Sequence, residues 1–164
     1  MKRLAVYAGT FDPPTLGHLD VVQRAARMLD EVHVLVAVNP DKSPMFEVET
    51  RVTMWRDMLA ELPNAVVSST SGYVVAYAGE VGAGWLVRGV RGATDAEAEA
   101  ALALANHKLA PDIETIWIPA REDLAEVSST ELKRRASSGE GIERYASPMV
   151  AAALRGEFMH PTGM

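Results

Sequence analysis

The segment Gly9-Thr10-Phe11-Asp12-Pro13-Pro14-Thr15-Leu16-Gly17-His18 runs straight into a helical pattern. Its residue types suit an anionic ligand. Glycines at 9 and 17 leave room for a ligand beside the backbone, and a helix start offers unpaired N–H groups at the positive end of its dipole. Thr10 adds a hydroxyl, and His18, in the first turn, adds an N–H donor that can reach the same phosphates. No Lys-Ser or Lys-Thr pair closes the segment, so it is not the lysine-closed phosphate loop. A lone glycine-rich turn reads more simply as a turn before a capping histidine. Here glycine, threonine, Asp-Pro, glycine and histidine agree, which favours the phosphates of a nucleoside triphosphate.

A second such place is Val127-Ser128-Ser129-Thr130-Glu131, which opens a late helix. It fits a capping box without any ligand, and it also supplies a second helix start with hydroxyls suited to β- and γ-phosphates. Lys133, Arg134 and Arg135 follow, either as part of that site or as a solvated basic face. Arg88 and Arg91 end another apolar run; they face a ligand or pair with Asp95, Glu97 or Glu99. Glu97 and Glu99 alone would be an exposed acidic helix face, and Lys42 alone a solvated lysine. His33 alternates within an apolar run and His107 sits beside Lys108; neither has a partner at metal-ligand spacing, so both read as structural and no protein metal site is expected. Gly82-Ala83-Gly84 precedes a strand rather than following one, so it is not a dinucleotide fingerprint.

Positioning these residues requires a sheet. Short β-branched runs at Leu4–Ala8, Val32–Val38, Ala65–Ser69, Trp85–Arg88 and Thr115–Ile118 alternate with helical patterns. The helices are expected from near His18, where Leu19, Val22, Ala26 and Leu29 share a face, and at Val48–Leu62, Val74–Val81, Asp95–Leu109, Ser129–Ala136 and after Ser147-Pro148. That alternation predicts one α/β domain over 1–164: a Rossmann-like parallel sheet of about five strands with helices on both faces, and a frayed tail over 157–164. Ligands of such sheets lie beyond the carboxyl ends of the strands, where Thr10, Arg88 and Arg91 stand.

Composition is that of one globular domain. The 164 residues are 48% apolar and 23% charged, an ordinary globular balance. A formal net charge of −6 argues against a nucleic-acid partner, which needs a basic surface. With no cysteine, disulfides and thiolate chemistry are excluded. No run approaches the ~20 apolar residues of a membrane span, and the N-terminal run is too short for a signal-peptide core, so no membrane partner and a cytoplasmic location are expected.

Thr15-Leu16-Gly17-His18 together with Val127-Ser128-Ser129-Thr130 resembles the two marks of the nucleotidylyltransferase superfamily, a T/H-x-G-H loop and a late Ser/Thr-rich helix start. Within it, Gly9-Thr10-Phe11-Asp12-Pro13, Asn39-Pro40-Asp41-Lys42, Met45-Phe46, Leu86-Val87-Arg88-Gly89-Val90-Arg91, Asp95, Glu97, Glu99 and Asn106 make nearly the whole chain similar to bacterial phosphopantetheine adenylyltransferases. The resemblance implies ATP and 4′-phosphopantetheine as substrates, dephospho-coenzyme A and pyrophosphate as products, Mg2+ as cofactor, a homohexamer and inhibition by coenzyme A. It implies catalytic roles for His18, Thr10 and Lys42, and an acceptor site at Thr10, Lys42, Val74 and Arg88. Around ATP it implies Thr10, Phe11, His18, Gly89, Val90, Arg91, Glu99, Leu124, Val127, Ser128, Ser129 and Thr130.

The chain departs from that family's pattern at Ala96 and Ala98, where aromatic residues are usual, at Leu124, also usually aromatic, and at Thr130, usually serine. The alanines bear on subunit packing or pocket shape, and Leu124 removes a stacking surface near the nucleotide. Two rivals follow. One is a nucleotidylyltransferase for another acceptor, nicotinate mononucleotide or a CTP-dependent alcohol phosphate; the other is a non-catalytic nucleotide- or coenzyme-A-binding homologue.

Overall fold

β1 (Leu4–Gly9) alternates between two apolar surfaces, and the fold is built outward from it. In the computed structural model, which describes residues 1–159, Ala5 and Tyr7 face Val21, Val22 and Ala25 of α1 (Leu16–Met28) and Val52 and Trp55 of α2 (Val48–Met58). Leu4, Val6 and Ala8 face the opposite way, toward Ala78 of α3 (Val74–Val81). The period of two thus demands helices on both sides. β2 (Glu31–Ala37), β3 (Ala65–Thr70), β4 (Trp85–Val90) and β5 (Glu114–Pro119) complete a sheet of order β3-β2-β1-β4-β5, every pair parallel.

That order runs one way from β1 through β2 to β3 and the other way through β4 to β5. The loops after β1 and β4 therefore diverge and leave a crevice between them. α4 (Ala93–Leu109) follows β4 on the α3 side. α5 (Ser129–Ser137) and α6 (Pro148–Met159) pack with the outer side of α2, where Met54, Leu132, Val150 and Leu154 are buried together. This second core fixes the start of α5 opposite the loop after β1.

The elements differ from the sequence expectation mainly at their ends. α2 stops at Met58 rather than Leu62, because Pro63 disfavours helical backbone at Leu62, and the Asn64 amide turns back to donate to Ala26 O and Leu29 O at 2.8 and 3.3 Å. β4 extends past Arg88 to Val90, since Gly89 and Val90 still pair with Ile118 and Pro119. α6 starts with Pro148 at its first position, and the Ser147 hydroxyl accepts from Val150 N at 3.3 Å. It runs through Met159, so Glu157–Met159, expected to fray, are helical; the remaining tail, His160 included, lies outside the described residues. His33 is structural as expected, its ring bridging Tyr77 Oη at 2.9 Å and Glu31 Oε1 at 2.6 Å. Among the described residues no helix is long and apolar enough to cross a membrane.

Leu154 is fully buried between α6 and its neighbours. Leu154→Ala is expected to lower unfolding free energy by about 2–5 kcal/mol in urea titration, through lost burial plus the cavity left behind. A loss below about 1 kcal/mol would mean that this core collapses freely around the gap.

Candidate active site

The loop after β1 is shaped by Phe11. Its backbone is left-handed, with φ of 50°, which costs about 1–3 kcal/mol for a bulky residue. In return its ring folds under the strand end, with centroids 5.3 Å from Tyr7, 5.0 Å from His18 and 5.0 Å from Trp55. A Cβ on Gly9 would lie 2.9 Å from this ring, so Gly9, which also lines the crevice, makes room for Phe11. The ring itself is core, 4% exposed, and meets the crevice as a floor beneath His18.

His18 does two jobs that the sequence set against each other. Thr15 is the N-cap of α1: its Oγ1 accepts from His18 N at 3.2 Å, and His18 Nδ1 accepts in return from Thr15 N–H at 2.9 Å. An accepting Nδ1 carries no proton, so the neutral ring carries it on Nε2. Burial, followed by the charges of Arg91 and Arg88, pushes the imidazole pKa down to about 4. Near neutrality His18 is therefore a neutral donor with one N–H left to offer.

That ring lines a crevice cavity of about 330 Å³ bounded by the ends of β1 and β4 and the starts of α1 and α5. Thr10, Phe11, Arg88, Gly89, Arg91, Glu99, Leu124, Val127, Ser128, Ser129 and Thr130 line it too. Val90, expected among them, does not; it lies between two lining residues, and its carbonyl accepts from Ala120 N at 2.8 Å. Lys42 lines an adjoining cavity of about 460 Å³ that shares Thr10, Ser129 and Thr130 with the first. Val74 lines a third, of about 260 Å³, together with Leu86, Leu102 and Leu109; it meets the first cavity at Ala8 and Arg88. Neither Ala96 nor Ala98 lines any of these three, so their small size does not shape the pockets.

Arg88 is held by a fork: Nε and Nη2 donate to the two oxygens of Glu99, each at 2.8 Å, and Nη1 donates to Ala8 O at 2.8 Å. Burial acts to discharge this guanidinium, but the hydrogen bonds and charge of Glu99 outweigh it and hold its pKa raised. Glu99, 9% exposed, is thus the orienting partner of Arg88. Ligand-facing and carboxylate-paired were alternatives for this arginine in the sequence; it is paired, and it also lines the cavity with N–H donors to spare after three bonds. Asp95 accepts from Arg91 N at 3.0 Å and stands 3.7 Å from its Nε.

At α5 the Ser128 hydroxyl accepts from Glu131 N at 3.1 Å, but the Glu131 carboxylate turns to Arg134 and Arg135. The expected capping box is therefore half formed. Ser129 Oγ donates to Pro13 O at 2.7 Å, tying α5 to the loop after β1. Thr130 keeps its hydroxyl in the cavity wall. Arg134 also pairs with Glu140 on the solvated face, Arg135 lies over the Tyr145 ring at 4.9 Å, and of the three basic residues Lys133 lines a cavity. Tyr7, read only as a strand residue, contributes to the cavity wall, and burial pushes its phenol pKa up. Its aromatic character gave no signal that separates it from core.

With this geometry in hand, comparison with known proteins is decisive. Residues 6–135 match the cytidylyltransferase-like family model. A phosphopantetheine adenylyltransferase of Desulforudis audaxviator is 44% identical over 156 residues, 95% of this chain and 96% of that protein. The chain belongs to the phosphopantetheine adenylyltransferase family. A member from Synechococcus elongatus is 41% identical, covering 96% of this chain and 94% of its own length, and one from Heliobacterium modesticaldum is 41% identical, covering 92% and 90%. Among solved structures, a putative nicotinate-nucleotide adenylyltransferase from Vibrio parahaemolyticus superposes with a TM-score of 0.71 over 99% of this chain and 98% of that one. At 21% identity it shows a shared fold.

The tautomer and the depressed pKa are directly measurable. In an NMR titration the His18 ring is expected to stay neutral with its proton on Nε2 down to about pH 4. Because the folded value lies below the ordinary one near 6.5, the unfolded chain takes up a proton first, and stability falls as pH drops through that interval. A midpoint near 6.5 would show that the buried, arginine-flanked environment is wrong.

Proposed function

We propose that the protein transfers the adenylyl group of ATP to 4′-phosphopantetheine, giving dephospho-coenzyme A and pyrophosphate. The phosphopantetheine name belongs to relatives 41–44% identical over nearly the full chain, while the nicotinate likeness is one of fold. The observation that carries the reading is one crevice holding a neutral imidazole donor, two oriented arginines and a helix start, with an apolar cavity opening off it at Arg88.

The acceptor is already an anion, so no general base is required, and none of the Ser-His-Asp kind stands there. A phosphate oxygen of the acceptor attacks the α-phosphorus in line; the bond from that phosphorus to the bridging oxygen breaks, and pyrophosphate leaves. Catalysis is then positioning and charge stabilisation. His18 Nε2–H donates to an α-phosphate oxygen. Thr10, Lys42 and Arg88 hold the acceptor phosphate, with Val74 beside its pantetheine arm in the third cavity. Arg91 and the α5 start at Ser128–Thr130 receive the β- and γ-phosphates, while Gly89, Leu124 and Val127 surround the nucleoside.

Among the described residues no group of three or more His, Asp and Glu could hold a metal, and the cavity carboxylates Glu99 and Asp95 are engaged by Arg88 and Arg91. The donor set fits Mg2+ arriving as part of the nucleotide, which supplies oxygen ligands itself; the ion would neutralise phosphate charge. Exposed Leu104 and Leu109 on α4, 66% and 65% accessible, support assembly into the family's homohexamer. Feedback by coenzyme A at the same site and a cytoplasmic location complete the reading.

The test is to supply ATP, Mg2+ and 4′-phosphopantetheine and follow pyrophosphate and dephospho-coenzyme A together. Both products are expected, with turnover of His18→Ala lower by about 10²–10³. A folded, ATP-binding protein that forms neither product would overturn the acceptor; near-normal His18→Ala turnover would overturn the role of the ring.

A further inference from the structure

The stretches that carry Thr10 and Lys42 follow the carboxyl ends of the neighbouring parallel strands β1 and β2, yet residues 10–13 and 39–46 share no backbone-to-backbone hydrogen bond. Two buried side chains join them instead. Asp12, 7% exposed, accepts from Met45 N at 2.7 Å and from Phe46 N at 2.9 Å. Arg51 of α2, 2% exposed, donates from Nε to Phe46 O at 2.9 Å and from Nη1 to Thr10 O at 2.7 Å, with Ala37 O a more distant acceptor at 3.5 Å. One charged side chain thus takes the amides of the second loop, and the other takes a carbonyl from each loop.

These opposite charges do not pair with each other. The partners of Arg51 are all neutral carbonyls, so its charge is uncompensated by them. It lines the same cavity as Lys42 and Lys133. The nearest cation to Asp12 is Lys133, whose Nζ is 3.7 Å from Oδ2. Burying a guanidinium without a carboxylate is costly. An alkyl side chain could fill the space, but only a planar fork can hold Phe46 O and Thr10 O at once.

We propose that Asp12 and Arg51 are positioning residues: a clasp that sets Lys42 against Thr10 so that both meet one acceptor phosphate, while Arg51 lends that place its positive charge. The inference rests on the reading that Thr10 and Lys42 hold the acceptor. Neither clasp residue touches the reacting atoms, so their effect passes through those two side chains.

Asp12→Asn and Arg51→Lys test this, since each keeps size but removes one acceptor oxygen or the fork. In the free enzyme, hydrogen exchange of the Met45 and Phe46 amides is expected to quicken about tenfold in Asp12→Asn. Acceptor KM is expected to rise about tenfold in both variants, with ATP KM changed less than about twofold, and Arg51→Lys should add little in a Lys42→Met background. Equal rises in both KM values, unchanged exchange, or full additivity with Lys42→Met would overturn the clasp. If Asp12→Asn fails to fold, the KM split and additivity of Arg51→Lys decide alone. A wild-type enzyme that ignores 4′-phosphopantetheine defeats the functional reading, and amide exchange then still judges the clasp.

Discussion

The imidazole of His18 is bound at one nitrogen and free at the other, and much of the crevice follows from that. The bond from Thr15 N–H to Nδ1 completes the capping box of α1, so the side chain that answers the N-cap is also the one that points a donor into the cavity. Satisfying the helix start and fixing the tautomer are a single event. The ring stays neutral because it is desolvated and flanked by Arg91 and Arg88. A charged ring would attract phosphate more strongly, but it would repel the arginines that must share the site. A neutral donor of fixed direction keeps the geometry without adding to that repulsion.

The arginines raise the complementary difficulty of staying charged and oriented without being neutralised. Arg88 meets it with a bidentate carboxylate on one side and free N–H donors on the other. Exposed pairs such as Arg3–Asp30, with side chains 59% and 42% accessible, are screened by solvent and contribute little. The Arg88–Glu99 pair, at 28% and 11%, is more shielded, and its value lies in direction as much as energy. A chain with net charge −6 thereby concentrates cations where polyanions arrive, and local arrangement overrides the overall sign.

How far the sequence discloses this depends on the range of the interaction. The strands, their order of appearance and the helix starts at Thr15 and Ser128 are local patterns, and they are legible from periodicity and capping chemistry. The placing of Thr10, His18, Arg88 and Arg91 at one crevice follows from the rule that parallel sheets bind ligands at carboxyl ends. That Phe11 reaches the cavity from below, with its ring mostly in the core, depends on a positive φ and on space left by Gly9, neither visible in a pattern of residue types. Asp12 and Arg51 gave no signal of their joint role, because the bonds that link the two loops, Asp12 to Met45 and Phe46 and Arg51 to Thr10, span 33 to 41 positions. Such contacts exist only once three segments are folded together.

Those distant contacts also sort the departures from the family pattern by consequence. Leu124 lines the central cavity, and its carbonyl lies 3.6 Å from where a Cβ on Gly17 would stand. Its side chain borders that cavity too, its Cβ 3.9 Å from the same point, where the pattern read from the sequence expects an aromatic ring. Ala96 and Ala98 face none of the three cavities, yet they share α4 with Glu99, which holds Arg88, and with the exposed Leu104 and Leu109. Any effect of the alanines must therefore travel through the packing of α4. The orientation of Arg88 is the point at which that packing would reach the chemistry.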